Sequence, residues 1–567
     1  MLSKTAASAP AEKAAAKDPA AEYEQRFVAY CILAAVVLAG AAGALGFALS
    51  RPDSVFVGAA YNIDDTCVYY SWIRQAADGH FFIRNLFTTD PQHPIEFNVL
   101  MLLLGGIVRI AHLSIPAVYY IARLGGAVGL LWIIYRLYRY LAPGDMRTRL
   151  YAFFFACLGS GLGWVFWPRW LQNNPPSVRS ADVWQPESLT FQSIDMSALF
   201  AISTVLIVAT IFLLEVGRHT GRTRYAAWAG VAALVLGNVH SYDVIHVAAA
   251  WLLYLVVLTA LRRENGRGWL QGVVCALIAL PSVLYQYHMY RVDPVFHERA
   301  NDATLAPAFY QYILGYGIVL AMAVVGVALR LLRRRDGAGA AAGTNILLPA
   351  CWFAGAMAVT YMPHVAFQRK MIMGADIPLS LLAGYGAATL SAHWTTARRA
   401  VLAAVCAALC LPTSLLWVAR DIHHVLTDSS ETQLQPFLSG DSVAALDWIR
   451  DKTAPDAAVL GLPTITVFVP GFCDRPTYVS HWGETPDFAT RYGQFLQFMR
   501  PGYGPARRAA YLSMTRCTYF IAPTPNGPVA QSFAAAGISL ANFDDFPQLL
   551  TPVYRNQEET VYRIDNG

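Results

Sequence analysis

Charge is what this chain has least of: 14% of its 567 residues are Asp, Glu, Lys or Arg, against 56% that are hydrophobic. A water-soluble enzyme of this length needs more charge to cover its surface, so a polytopic membrane protein is indicated instead. The net charge of +5 is small for the length, and Lys and Arg fall in short clusters between apolar segments, which argues against nucleic-acid binding. Known chemical signatures are missing too. No P-loop, dinucleotide fingerprint or Ser-His-Asp arrangement stands out, and the hydropathy shows no inverted repeat of the transporter kind. The nine cysteines form no metal or disulfide pattern. Cys31, Cys157, Cys275, Cys351, Cys406 and Cys410 lie inside apolar segments as small hydrophobes. That leaves Cys67, Cys473 and Cys517 for wet surroundings, with a Cys473–Cys517 disulfide open in an oxidising compartment.

What the chain has in quantity is apolar length. Windows near 27–49, 116–138, 148–167, 196–216, 224–240, 243–261, 268–288, 308–330, 346–364, 371–391 and 399–418 are each long enough to read as a span, eleven in all. A twelfth candidate, Ile95 to Leu113, contains Glu96, Arg109 and His112. A central Arg alone costs roughly 2.5–3.5 kcal/mol on insertion scales, so this segment is expected along the interface. With it excluded, the clusters at Arg136–Arg149, Arg218–Arg224, Arg262–Arg267, Arg330–Arg335 and Arg398–Arg399 share one side. The positive-inside rule makes that side cytoplasmic. Three parts are expected: a disordered cytoplasmic tail at 1–26, a membrane domain at 27–428 with a first outer loop at 51–115, and an outer domain at 429–567. The 429–567 part mixes short apolar runs with Pro, Gly and charge, and reads as a small α/β domain. Its expected elements are helices near 442–451, 486–499 and 505–514 and strands near 457–461, 464–469, 518–522, 550–554 and 560–564.

This topology collects acids and bases at the outer face. The loop from Tyr61 to Asn98 holds Asp64, Asp65, Tyr69, Tyr70, His80, Asp90, His93 and Glu96. The plain alternative is that Asp64 or Asp65 caps a helix over Thr66–Ala77. Other outward turns bring Glu187, His240, Asp243, His246, Gln368, Arg369 and Lys370, while Arg123 and Asp376 lie just inside the membrane. Such residues mark a site or bundle-holding ion pairs, Arg123 to Asp376 or Arg369 to Asp243. His481 and Glu484, in Arg475–Thr485, belong either to a packed turn or to a cover over the site. Transfer of a sugar from a lipid phosphate suits the set. An aspartate takes the proton of the attacking group, and Arg369, Lys370 and Arg123 hold the phosphate. Asp64, Asp65 and Glu187 are hard oxygen ligands of the kind Mg²⁺ or Mn²⁺ takes, though cationic side chains are an alternative to a metal. His240, Asp243 and His246 spread over about 120° of a helix and make a poor metal set.

Asp64-Asp65 soon after the first span, the interfacial segment His93 to Leu113, Arg123 in the next span and Phe367-Gln368-Arg369-Lys370 give a pattern that resembles the GT-C superfamily of polyprenyl-phosphate-dependent glycosyltransferases. It is most similar to bacterial members of the aminoarabinose transferase and protein O-mannosyltransferase group. The resemblance implies a multi-pass protein of the bacterial inner membrane, a polyprenyl-phosphate sugar as donor, and an extracytoplasmic lipid, glycan or protein as acceptor. It also implies a first-loop base, Asp65 first and Asp64 second. Substrate-binding residues are then expected at Glu187, Arg369, Lys370, Gln368, Arg123, His240, Asp243, His93 and Tyr69. The WWD-type motif of the superfamily's oligosaccharyltransferases is missing from the sequence, which disfavours transfer of a whole oligosaccharide to asparagine. Rival classes are a transporter or flippase and a non-catalytic anchor for envelope assembly.

Overall fold

The computed structural model describes residues 19–167, 179–301, 303–335, 344–430 and 434–565, with the side chains of 300 and 333–335 excepted. Helix α1 (Pro19–Leu49) starts ahead of the expected window, within the stretch assigned to a tail; the rest of that stretch lies outside the described residues. Seven helices are long and apolar enough to cross a membrane, and the pair Thr396–Cys410 and Pro412–Thr427, bent by 43°, makes up to eight. Every one of the eleven windows contains a helix. Three of these are short, however: Met146–Leu158, Thr223–Val239 and Leu347–Thr360, with 13, 17 and 14 residues. At 1.5 Å per residue the shortest reaches about 20 Å, less than the roughly 30 Å hydrocarbon core. Apolar composition runs on past the point where Gly159 turns to extended backbone and stops the first of them.

The loop after α1 folds into two helices, α2 (Ile63–Ala77) and α3 (Val99–Ala111). Asn98 caps α3, its side chain accepting from the N–H groups of Leu100 and Met101, a contact worth about 1 kcal/mol. With 13 residues α3 is too short to span. Leu100, Met101 and Leu104 are buried, whereas Leu103, Ile107 and Ile110 are exposed on the opposite side. Gly105 is where α3 meets α2: a Cβ there would stand 2.5 Å from that of Ala76.

Beyond the bundle lies a small sheet. Strands β3 (Val459–Gly461), β4 (Tyr519–Pro523), β5 (Leu550–Arg555) and β6 (Glu559–Ile564) take the order β3-β4-β6-β5, with β3 parallel to β4 and the rest antiparallel. Phe520 and Tyr562 pack with Phe498 and Phe543 beneath it. The strand expected at 464–469 is instead two short helices, Pro463–Thr466 and Val469–Cys473. Pro463 and Pro470 sit in their first turns, where a fixed φ starts a helix at no cost in hydrogen bonds.

Two ties fix this domain to the first loop. Strand β1 (Ser54–Phe56) pairs antiparallel with β2 (Phe437–Ser439). Helix Val469–Cys473 rests on α2, where a Cβ on Gly471 would stand 2.9 Å from that of Tyr70 and where Arg74 Nε donates to the Gly471 carbonyl at 3.3 Å. All nine cysteines are free and buried, Cys67, Cys473 and Cys517 included. Cys473 and Cys517 are not paired, and the thiol of Cys473 donates to the Leu446 carbonyl at 3.2 Å.

Candidate active site

Helix α2 begins one residue before the aspartates, so neither caps it. Asn62 occupies the cap position in left-handed conformation, φ 53°, and Asp64 and Asp65 fall in the first turn. Two carboxylates there are favoured by the helix dipole, roughly 0.3–1 kcal/mol each. Asp65 Oδ2 accepts from the Asn62 amide at 2.8 Å, which braces the start of the helix.

The other partners of the pair come from the C-terminal domain. Nδ1 of His481 accepts from the backbone N–H groups of Gly483 and Glu484 at 3.0 and 3.1 Å, so the ring carries its proton on Nε2. Nε2 lies 3.3 Å from Asp65 Oδ1, slightly off the line of a good hydrogen bond. The indole N–H of Trp482 donates to Asp64 Oδ2 at 2.9 Å. His481 is buried, while the Asp65 side chain keeps 36% of its surface open. Burial pushes Asp65 up, but the donors from His481 and Asn62 and the charge of Lys370 outweigh it and hold the carboxyl below the usual range. Asp64 goes the other way, raised by burial and by its charged neighbour. The environments separate two adjacent carboxyls into one held as an anion and one with more affinity for a proton.

Cations stand around the same pair, and the cleft is the space between them and Asp65. Arg299 Nε meets Glu484 at 2.9 Å, Nη1 meets Glu96 at 3.4 Å, and the guanidinium lies 5.0 Å from the centre of the Trp72 ring. Burial opposes its charge, yet the two carboxylates raise its pKa. Glu96, buried and sharing Arg299 with a second acid, is raised to about 7. Lys370 acts on Asp65, Glu187 and Glu484 by its charge, and its ammonium stands 5.3 Å from the centre of the Tyr242 ring. Among the described residues it makes no ion pair and no side-chain hydrogen bond. Arg369 pairs with Glu187 at 3.4 Å and lies over Trp184. Tyr69 stacks on Tyr119 within reach of the charges of Asp65 and Arg299.

The remaining expectations fall elsewhere. Arg123 is not with the lysine: it donates to the Ala39 carbonyl at 3.1 Å and faces a separate cavity of about 30 Å³ with Asp195 and Asp421. Neither expected bridge forms, since Asp376 accepts from the Thr190 N–H at 2.8 Å and Asp243 bonds His240 at 2.7 Å. His240 and Asp243 stand behind Tyr242, and His246 turns away to Met371 and Trp352. The side chain of Gln368 ties its own turn, accepting from Ala306 N–H and donating to the Met362 carbonyl. His93 is exposed, held by its backbone N–H to Asp293. Asp64, Asp65 and Glu187, the acids considered for a metal, each have a donor group close by, while Glu187 Oε2 is buried with no hydrogen-bond partner among the described residues. Their oxygens face an indole, an imidazole, an amide and a guanidinium, and among the described residues no three acids, histidines or cysteines converge.

Solved structures share this architecture. The crystal structure of the Archaeoglobus fulgidus oligosaccharyltransferase in the apo form matches with a TM-score of 0.53 at 13% identity, over 94% of this chain and 74% of that one. The archaeal oligosaccharyltransferase AglB from Archaeoglobus fulgidus, in complex with an inhibitory peptide and a dolichol-phosphate, also gives 0.53 at 13%, over 95% and 75%. The chain has the GT-C fold. ArnT from Cupriavidus metallidurans bound to undecaprenyl phosphate is similar at 0.47 and 14%, over 95% of this chain and 98% of that one. No protein-family model and no curated protein matches the sequence.

Within this GT-C fold the sequence signal for Asp65, Asp64 and Lys370 was their outward position. Arg299 carried no such signal, standing between two apolar windows in a segment with no span of its own. His481 and Trp482 were visible only as a polar run in the distal domain.

Proposed function

We propose that this chain is an integral membrane glycosyltransferase moving a sugar from a polyprenyl-phosphate donor to an acceptor on the face of the membrane that carries the C-terminal domain. The observation that carries the reading is Asp65, a carboxylate with 36% of its side-chain surface open, kept ionised near a lysine that makes no direct ion pair among the described residues. A lipid phosphate supplies the missing anion. Its chemistry is that of the dolichol-phosphate in the AglB complex.

In the reaction the acceptor's hydroxyl oxygen or amine nitrogen attacks the anomeric carbon while the bond from that carbon to the phosphate oxygen breaks. The electron pair leaves on the phosphate, where Lys370 and Arg369 face the growing charge. The acceptor's proton goes to Asp65 as general base. A base of low pKa suffices because the attacking atom becomes strongly acidic as its new bond forms. Asp64, with the greater proton affinity of the two, is the neighbouring acceptor in the cleft. None of these steps is assigned to a metal.

Orientation follows from the arginines. Arg218, Arg263 and Arg330 stand at the helix ends away from the cleft, the cytoplasmic end by the positive-inside rule, so the cleft opens outside. The test is to incubate detergent-solubilised protein with a panel of labelled polyprenyl-phosphate sugars and candidate acceptors, with and without EDTA. Release of free polyprenyl phosphate together with labelled product supports the reading; binding of donors with no transfer from any of them overturns it.

A further inference from the structure

A second cavity opens at the end of the bundle away from the Asp65 cleft, with a volume of about 480 Å³, the size of a small-molecule site. Arg218, Tyr254, Arg263, Arg330, Leu331 and Asn345 line it. The two ends are well separated. Tyr312, hydrogen-bonded to Gln185 beside Arg369, and Arg330 lie on the segment Phe309–Arg335, which kinks at Gly317; the helix beyond the kink, from Ile318 to Arg330, alone rises about 18 Å.

Charge in this cavity is unbalanced. Arg218 is committed to Glu215, at 2.7 and 2.8 Å, and the same carboxylate takes the Tyr254 hydroxyl at 3.2 Å and the Asn345 amide at 3.3 Å. Glu215 is therefore satisfied, and Glu264 lies 3.9 Å from Arg218. Arg263 and Arg330 have no ion pair and no side-chain hydrogen bond among the described residues. Two guanidiniums facing one space repel unless an anion lies between them, and their planar forks suit phosphate oxygens. The rim is apolar: Leu258, Val327, Ile346 and Leu347 line it together with Leu331, which is 58% exposed. A free anion has no use for such a rim, whereas acyl chains do.

We propose that this cavity binds the phosphodiester headgroup of an anionic membrane lipid, with Arg263 and Arg330 on the phosphate and the lipid tails along Val327, Leu331 and Leu347. The site is independent of sugar transfer and does not require it. It is tested on the full chain, delipidated in detergent, by native mass spectrometry with phosphatidylglycerol, phosphatidylcholine or inorganic phosphate as the probe. Phosphatidylglycerol is expected to stay bound, with affinity about thirtyfold weaker in the Arg263→Gln/Arg330→Gln double variant, the factor that two near-surface arginines carry. A charge-keeping Arg263→Lys/Arg330→Lys protein should bind within a few-fold of wild type. Equal retention of phosphatidylcholine, displacement of the lipid by inorganic phosphate at equal concentration, or undiminished binding by the double glutamine variant would each overturn the assignment.

Discussion

Nε2 of His481 stands 3.3 Å from Oδ1 of Asp65, so a residue of the C-terminal domain completes the surroundings of a carboxylate in the first loop. With Nδ1 occupied by two backbone donors, the ring's one proton is on Nε2, which faces Asp65 without making a well-aligned hydrogen bond. His481→Ala is expected to cut turnover by about 10- to 100-fold, the scale of a hydrogen bond to a charged group, while His481→Gln, which keeps an N–H, recovers part of it. A pH profile separates this from simple misfolding. The base must be ionised, so activity falls as pH drops through its pKa; losing the His481 donor raises that pKa, and the acidic limb of the alanine variant should move upward.

The cations divide into one set that serves the cleft and one that does not. Lys370→Gln should weaken donor binding by about tenfold or more, as expected for a charged contact to phosphate. Arg123→Gln, altering a side chain that faces a different cavity, should change it less than threefold. Equilibrium binding of a labelled polyprenyl phosphate to the two purified variants checks both.

Glu96 gives a stability signature. Its folded pKa of about 7 exceeds the ordinary glutamate value of 4.5, so the folded state holds the proton more tightly than the unfolded one. Stability from this group is full below about pH 4.5 and declines as pH rises to about 7. Glu96→Gln should therefore melt above wild type at pH 8, with the gap closing at pH 5; thermal unfolding at both pH values reads it directly.

Chelation should matter little. Because amide, indole, imidazole and guanidinium groups already face Asp64, Asp65 and Glu187, the initial rate in EDTA is expected within twofold of that in added Mg²⁺ or Mn²⁺. A tenfold loss in EDTA, restored by either ion, would show a ligand set absent from this geometry.

How much of this was written in the sequence depends on the range of the force involved. Burial of apolar runs is local, so each span window contains a helix. Helix length is less legible, because Met146–Leu158 stops at Gly159 while the apolar run continues. Asp65 and Lys370 could be found because charge is expensive near lipid wherever it stands. Arg123 stood out for the same reason, and its place beside the Ala39 carbonyl and two nearby acids is a matter of packing that spacing does not encode. His481 was legible as a residue and not as a partner. Only the docking of Val469–Cys473 on α2 places it there.

The central claim, that the Asp65 cleft transfers the sugar, is tested most directly by measuring transfer rate and donor affinity together in Asp65→Asn. The account predicts a rate at least about 100-fold below wild type with donor affinity within threefold, in protein that melts normally. An unchanged rate in that variant contradicts it.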